Sequence, residues 1–183
     1  AAGNASAVVH ASVTLDNTAP TAPAAVNDGT YLSSLTSSPA VTWTASTDTN
    51  GISRYEYAIG TSAGARNTVD WTTTGSNTNS FTATGLSLTT DTTYYFSVRA
   101  VDAAGNTSSV GQGNGWIADT TLPGAPTAVT LGSVPSSTSD SPTISWTAPT
   151  DTSGIASYAV QIHLRSDNSV VKAWTTKASG DSF

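Results

Sequence analysis

This chain repeats itself every 103 residues, and the repeat limits what it can fold into more than any other feature. Trp43 and Trp146 stand in matching phrases, Pro39-Ala-Val-Thr-Trp-Thr-Ala45 and Pro142-Thr-Ile-Ser-Trp-Thr-Ala148. The same offset joins Pro20 to Pro123, Asp48 to Asp151, Gly51-Ile52 to Gly154-Ile155, Tyr55 to Tyr158 and Trp71 to Trp174. A shared register over so many separated positions means that each repeat is one structural unit, and arrays of such units build extended proteins.

The ends of the repeat suggest a division of the chain. Ala1-Ala-Gly-Asn4 matches Ala103-Ala-Gly-Asn106, and Phe183 aligns with Phe81. The expected layout is the last strand of one repeat with its linker over residues 1–18, a complete domain over 19–118, and the first part of another over 119–183. With no Met anywhere, the sequence reads as a window on a longer chain.

Composition narrows the fold to one class. Ser and Thr are abundant beside Val, Ile, Tyr and Trp, residues that suit a pleated and half-buried surface. No stretch carries Ala, Leu, Glu and Lys at helical spacing, so almost no helix is expected. Turn signals and alternation predict strands at 24–27, 40–45, 52–59, 69–74, 80–83, 94–101 and within 108–117. On 52–59, Tyr55, Tyr57 and Ile59 share one face, with Arg54, Glu56 and Ala58 opposite. On 94–101, Tyr94, Phe96, Val98 and Ala100 point inward, with Tyr95, Ser97 and Arg99 outward. Seven strands in about 100 residues predict an antiparallel β-sandwich, so the fold class is all-β, with tandem seven-stranded sandwiches, one complete and two partial. The expected core is Trp43, Tyr55, Tyr94, Phe96 and Val98, with Trp146 and Tyr158 in the next repeat.

Several functions are disfavoured by chemistry. A net charge of −6, with no lysine in the complete repeat, leaves no basic cluster for nucleic acid or anionic lipid. Without cysteine there is no disulfide, thiolate metal site or thiol nucleophile. No apolar run is long enough for a transmembrane helix, so no membrane insertion is expected in this segment. Glu56 is the sole glutamate, against a paired-carboxylate glycosidase site. His10 and His163 are the only imidazoles, both in alternating strand patterns. They read as solvent-facing residues, and no catalytic residue or cofactor is expected.

The joints between repeats are legible too. Asp16-Asn-Thr-Ala-Pro20-Thr-Ala-Pro23 matches Asp119-Thr-Thr-Leu-Pro123-Gly-Ala-Pro126. Paired prolines fix φ and favour an extended, semi-rigid spacer.

The phrase from Trp43 through Gly51-Ile52 to Tyr55 resembles the second and third strands of fibronectin type III domains. Leu88, then Tyr94-Tyr-Phe-Ser-Val-Arg-Ala-Val-Asp-Ala-Ala-Gly-Asn106, is similar to the sixth strand and following turn of that family. The resemblance implies a tyrosine corner at Tyr94, its hydroxyl bonding back near Leu88. The Asp-x-Thr-x-Pro joints resemble those of fibronectin III or immunoglobulin-like repeats in large bacterial surface, fibre and adhesin proteins.

Two further possibilities attach to named residues. Asp16, Asp48, Asn50, Asp119 and Asp151 offer oxygen ligands for Ca²⁺, although the same residue types are ordinary turn formers. Trp71, Trp174 and Trp116 are possible glycan or interface contacts. Trp71 and Trp174 fit burial or edge packing better, whereas Trp116 follows a flexible-looking Gly111–Gly115 run and suits packing against a neighbouring domain.

The leading expectation is a non-catalytic spacer in an extracellular or cell-surface bacterial protein. Its partners would be neighbouring repeats, other copies in a fibre, or a glycan or cell-surface ligand. The alternatives are an accessory region of a secreted polysaccharide-degrading enzyme, and a filament subunit in which the Val9–Leu15 strand completes a neighbour's sandwich.

Overall fold

The computed structural model describes residues 13–36, 38–132, 143–163, 167–168 and 170–178. His10 and most of the predicted Val9–Leu15 strand lie outside them. Contacts divide the chain into two compact units. The first holds Ala1–Gly29, Ser38–Leu86 and Thr93–Trp116, and the second holds Thr30–Ser37, Ser87–Thr92 and Ile117–Phe183.

All regular structure among the described residues is β. The strands are β1 (Ala24–Asn27), β2 (Tyr31–Leu32), β3 (Ala40–Thr44), β4 (Ile52–Gly60), β5 (Val69–Thr73), β6 (Ser80–Thr82), β7 (Thr92–Asp102), β8 (Gly111–Gln112), β9 (Trp116–Ala118), β10 (Thr127–Leu131), β11 (Ile144–Thr147), β12 (Ser157–His163) and β13 (Val170–Ala178).

In the first unit one antiparallel sheet runs β1-β3-β6. In the other sheet β4 lies between β5 and β7, and β8 pairs with β7. Alternation along β3 buries Val41 and Trp43 and exposes the residues between them. Their partners come from the opposite sheet. Trp43 meets Tyr55 edge-on with ring centroids 5.0 Å apart, and Tyr57 meets Phe81 at 4.5 Å. Such aromatic pairs add to the stabilisation from burial alone. The Tyr55 hydroxyl accepts the Ser46 backbone N–H at 2.8 Å, so the buried phenol keeps a partner. Two sheets closing on an apolar interior form a β-sandwich.

The strand prediction missed two features. β2 was not foreseen; in the second unit it pairs in parallel with β9, Tyr31 opposite Ile117 and Leu32 opposite Ala118. Two residues are no periodic signal. Ala58 and Ser97, expected on an outward face, are also buried. They stand opposite each other on the face that carries Trp71 and Arg99, small side chains under a large layer.

The repeat reappears in the ladders, pair for pair. Ala24↔Thr44 and Asn27↔Thr42 in β1–β3 become Thr127↔Thr147 and Thr130↔Ser145 in β10–β11. Tyr57↔Thr72 and Ile59↔Val69 in β4–β5 become Val160↔Thr175 and Ile162↔Lys172 in β12–β13. Even an uncommon backbone conformation recurs. Ala25 has φ 47° and Ala128 has φ 49°, a left-handed geometry that non-glycine residues rarely adopt. Each sits where the β1–β3 or β10–β11 register slips.

Candidate functional site

Trp71 lies in the edge strand β5, where Ala58 faces both Asp70 and Trp71 because the pairing steps from Tyr57↔Thr72 to Ile59↔Val69. Two residues opposite one is a β-bulge, which bends an edge strand and blunts its pairing. The Arg99 guanidinium sits 4.3 Å from the Trp71 ring centroid, within cation–π range. Arg99 is held by Glu56 Oε2 through Nε at 2.9 Å and Nη2 at 2.7 Å, and Arg54 holds Oε1 through Nη2 at 2.8 Å. Burial raises the Glu56 pKa, but the hydrogen bonds and charges of Arg99 and Arg54 outweigh it. The carboxyl stays below its ordinary 4.5. Trp71 is therefore a half-buried aromatic fixed by an Arg–Glu–Arg chain.

Trp116 contradicts its assignment as a glycan or interface contact. It is 1% exposed and stacks on Tyr94 with centroids 5.1 Å apart, inside the first unit's core. The Gly111–Gly115 run before it is closely packed rather than flexible. A side chain on Gly111 would overlap the Pro23 carbonyl, and one on Gly113 would overlap the Asp28 carboxylate. Asp28, buried and unnoticed in the sequence, accepts the backbone N–H groups of Phe96 (3.2 Å) and Gly115 (3.3 Å). These glycines serve close approach of backbone to a carboxylate.

Trp174 is 67% exposed, whereas packing was expected. It borders an open groove of about 470 Å³ with Val129, Leu131, Ile144, Trp146 and Tyr158. These residues occupy the positions of a sandwich core, and among the described residues no strand covers them as β7 covers the first repeat. His163 is exposed, and its ring nitrogens meet the Asn168 carbonyl at 3.0 Å and Gln161 Oε1 at 2.9 Å.

The carboxylates gather at the joints. Oxygens of Asp16, Asp48 and Asp102 lie within 4.8 Å of one another. Asp16 and Asp48 were candidate Ca²⁺ ligands; Asp102 was missed, because it sits 54 positions beyond Asp48 and only the fold brings it close. Amide donors converge on these oxygens. Thr18 N–H reaches Asp16 Oδ1 at 3.0 Å, Asn50 Nδ2 reaches Asp16 Oδ2 at 2.9 Å, and Asn106 Nδ2 reaches Asp102 Oδ2 at 2.8 Å. Burial raises the Asp102 pKa; the hydrogen bonds from Asn106, Gly105 and Ala104 outweigh it and hold the carboxyl below 3.8. At the second joint, Asp119 accepts Thr121 N–H and Ser153 N–H, each at 3.0 Å. Its carboxyl is also held down, first by the Ser153 side chain and then by the Thr121 backbone. Asp151 Oδ2 is buried there without a donor.

Residues 29–117 match the family described as the Rha78A-like, N-terminal immunoglobulin domain. Over those residues the β-sandwich of the first repeat is similar to an immunoglobulin domain. Exoglucanase B of Cellulomonas fimi is 37% identical over 80% of this chain and 13% of its own length. Chitinase A1 of Niallia circulans is 36% identical over 80% of this chain and 19% of its own length. The chain thus spans less than a fifth of either relative. Among solved structures, an Fn3-like protein from Clostridium thermocellum is 25% identical, covering 54% of this chain and 95% of that one at a TM-score of 0.35. Segments similar to this chain thus lie within two much longer proteins, one named as an exoglucanase and one as a chitinase.

Proposed function

We propose that this chain is a non-catalytic, fibronectin III-like spacer region of a secreted polysaccharide-degrading enzyme. The carrying observation is that two curated relatives named for degrading polysaccharides match over 80% of this chain but less than a fifth of their own length. A module of that size, with repeated sandwiches and proline-bearing joints, suits separation of a catalytic domain from a substrate-bound one. The region contributes reach rather than chemistry. Repeats and joints alone also suit a bacterial surface fibre or adhesin; the identity to the two enzymes favours the enzyme context.

The test is domain deletion in the natural full-length protein. Removing the residues of this chain is expected to leave turnover of a soluble oligosaccharide within about twofold and to lower sugar release from insoluble polymer. The isolated chain should release no reducing sugar from cellulose or chitin. Hydrolysis by the isolated chain, or a full-length protein that degrades no polysaccharide, would overturn the proposal.

Trp71 and Trp174 supply a second, narrower reading, a glycan contact, because both repeats place an indole in the same edge-strand bulge. Aromatic faces stack on the apolar surfaces of sugar rings. Pull-down on insoluble glycan decides it: binding by the chain should fall with Trp71→Ala, and undiminished binding would remove Trp71 from the contact.

A further inference from the structure

We propose that Asn106 is a latch that makes the entering joint, Asp16–Thr18, part of the repeat it leads into. Its partner is the Asp-x-Thr segment itself, recognised through backbone carbonyls. The side chain is set up locally. Gly105, at φ 95°, turns the chain after β7. Asn106 N–H then donates to Asp102 Oδ1 at 2.9 Å, and Asp102 N–H donates to the Asn106 carbonyl at 3.2 Å.

So held, Asn106 Nδ2 faces three acceptors: Asp102 Oδ2 at 2.8 Å, the Asp16 carbonyl at 3.1 Å and the Thr18 carbonyl at 3.3 Å. Because every partner is an acceptor, only the NH₂ end of the amide fits this position. The joint is engaged at the same time from a second loop. The Asp16 carboxylate accepts Thr18 N–H and Asn50 Nδ2, and Asn50 N–H donates to Asp48 Oδ1 at 2.8 Å. Two turns far apart in sequence, 48–51 and 102–106, thus grip one three-residue segment. The amide hydrogens also separate three carboxylates that would otherwise repel within 4.8 Å.

The second repeat carries the joint side of the same arrangement within the described residues. Asp119 there finds Thr121 N–H and Ser153 N–H. Asp151 Oδ2, at the position of Asp48, is buried without a donor among the described residues. The latch gives the Asp-Ala-Ala-Gly-Asn turn and the Asp-x-Thr joint a common purpose. A backbone that would otherwise be linker becomes an extension of the sandwich, and the free length between repeats shortens.

Amide hydrogen exchange on the intact 183-residue chain tests this, comparing wild type with Asn106→Ala and Asn106→Asp. The aspartate variant keeps the size of the side chain and the backbone N–H of the turn but cannot donate from its ionised carboxylate. Exchange over residues 14–19 is expected to rise by about tenfold in both variants, the scale of losing hydrogen bonds to a locally opening segment. Protection in β4 and β7 should stay at the wild-type level, which reports that the sandwich is folded. If either folded variant keeps wild-type exchange over 14–19, the latch is wrong. Faster exchange confined to residues 103–106 overturns it as well, because Asn106 would then serve its own turn alone.

Discussion

Trp43 and Trp146 hold the same place in two repeats; Trp43 is sealed, and Trp146 borders an open groove in a repeat whose positions equivalent to β7 fall after Phe183. Each meets a tyrosine edge-on at 5.0 Å, with ring planes inclined 64° in the first repeat and 61° in the second. Each strand pair around them has the same register. What differs is cover. In the first repeat β7 brings Phe96, Val98 and Ala100 against the core, and Trp43 is 3% exposed. In the second, Leu131 and Val129 remain exposed among the described residues. The comparison separates two things that sequence repeats encode. Local pairing geometry is fixed by alternation, turns and the bulge within a half-sandwich. Burial, and with it most of the stabilisation, depends on strands distant in sequence.

The largest expected contrast is Trp43→Ala against Trp146→Ala. Emptying the sealed position should cost about 3–5 kcal/mol, and the groove position about 1 kcal/mol, because less area leaves water. Urea unfolding followed by residue-resolved NMR reads each repeat separately. Equal losses would break the comparison.

Tyr55→Phe and Tyr158→Phe sharpen it with a single oxygen. Tyr55→Phe strands the buried Ser46 N–H, at about 1–3 kcal/mol. In the second repeat the position of Ser46 is Pro149, which has no N–H to donate. Tyr158→Phe should therefore change the stability of the second repeat by less than about 0.5 kcal/mol.

On the outer face, Glu56→Gln should lower stability by about 0.5–1 kcal/mol, since one partner of each pair stays half-exposed. That loss should shrink in high salt. The second repeat has Ala159 at the equivalent position, so its stability should not respond to salt in this way. A salt-independent loss in Glu56→Gln would show that packing of Arg99 on Trp71, not charge, holds this face.

The smallest effect is a titration. Asp102 binds its proton less readily folded than unfolded, so the folded form gains stability above the ordinary 3.8. That gain disappears as pH falls through the lower folded value. Asn106→Ala should move the Asp102 pKa upward towards 3.8, measured by carboxyl NMR. An unchanged value would mean that the backbone donors of the turn suffice.

Much of the sandwich was legible because its signals are local. Alternation gave β3 and most of β4 and β7, and prolines and glycines marked the boundaries between elements. The misses share a physical origin. Ser97 and Ala58 are buried on the face that also carries Trp71 and Arg99, a layer that alternation along one strand cannot see. The Gly111–Gly115 run looked loose because a lone glycine says nothing about Asp28, 83 positions before Gly111, filling the space beside it. Trp116 followed that run and was misplaced with it. For the site, Asp16 and Asp48 carried a turn signature, but Asp102 and Asn106 join them only once β7 has crossed the sheet. The Asp-Ala-Ala-Gly-Asn phrase was the available signal, and its link to the joint needed the fold.

The matching ladders have a consequence for how the chain folds. A strand whose partner recurs 103 residues later with the same register has two sets of complementary neighbours, one native and one in the adjacent repeat. Mispairing between repeats then competes with correct closure, a known hazard of tandem domains. The differences between the repeats, Ser46 against Pro149 and Ala58 against Gln161, are the information that tells each strand which repeat it belongs to. Making the repeats more alike should slow correct folding even where every native contact is preserved.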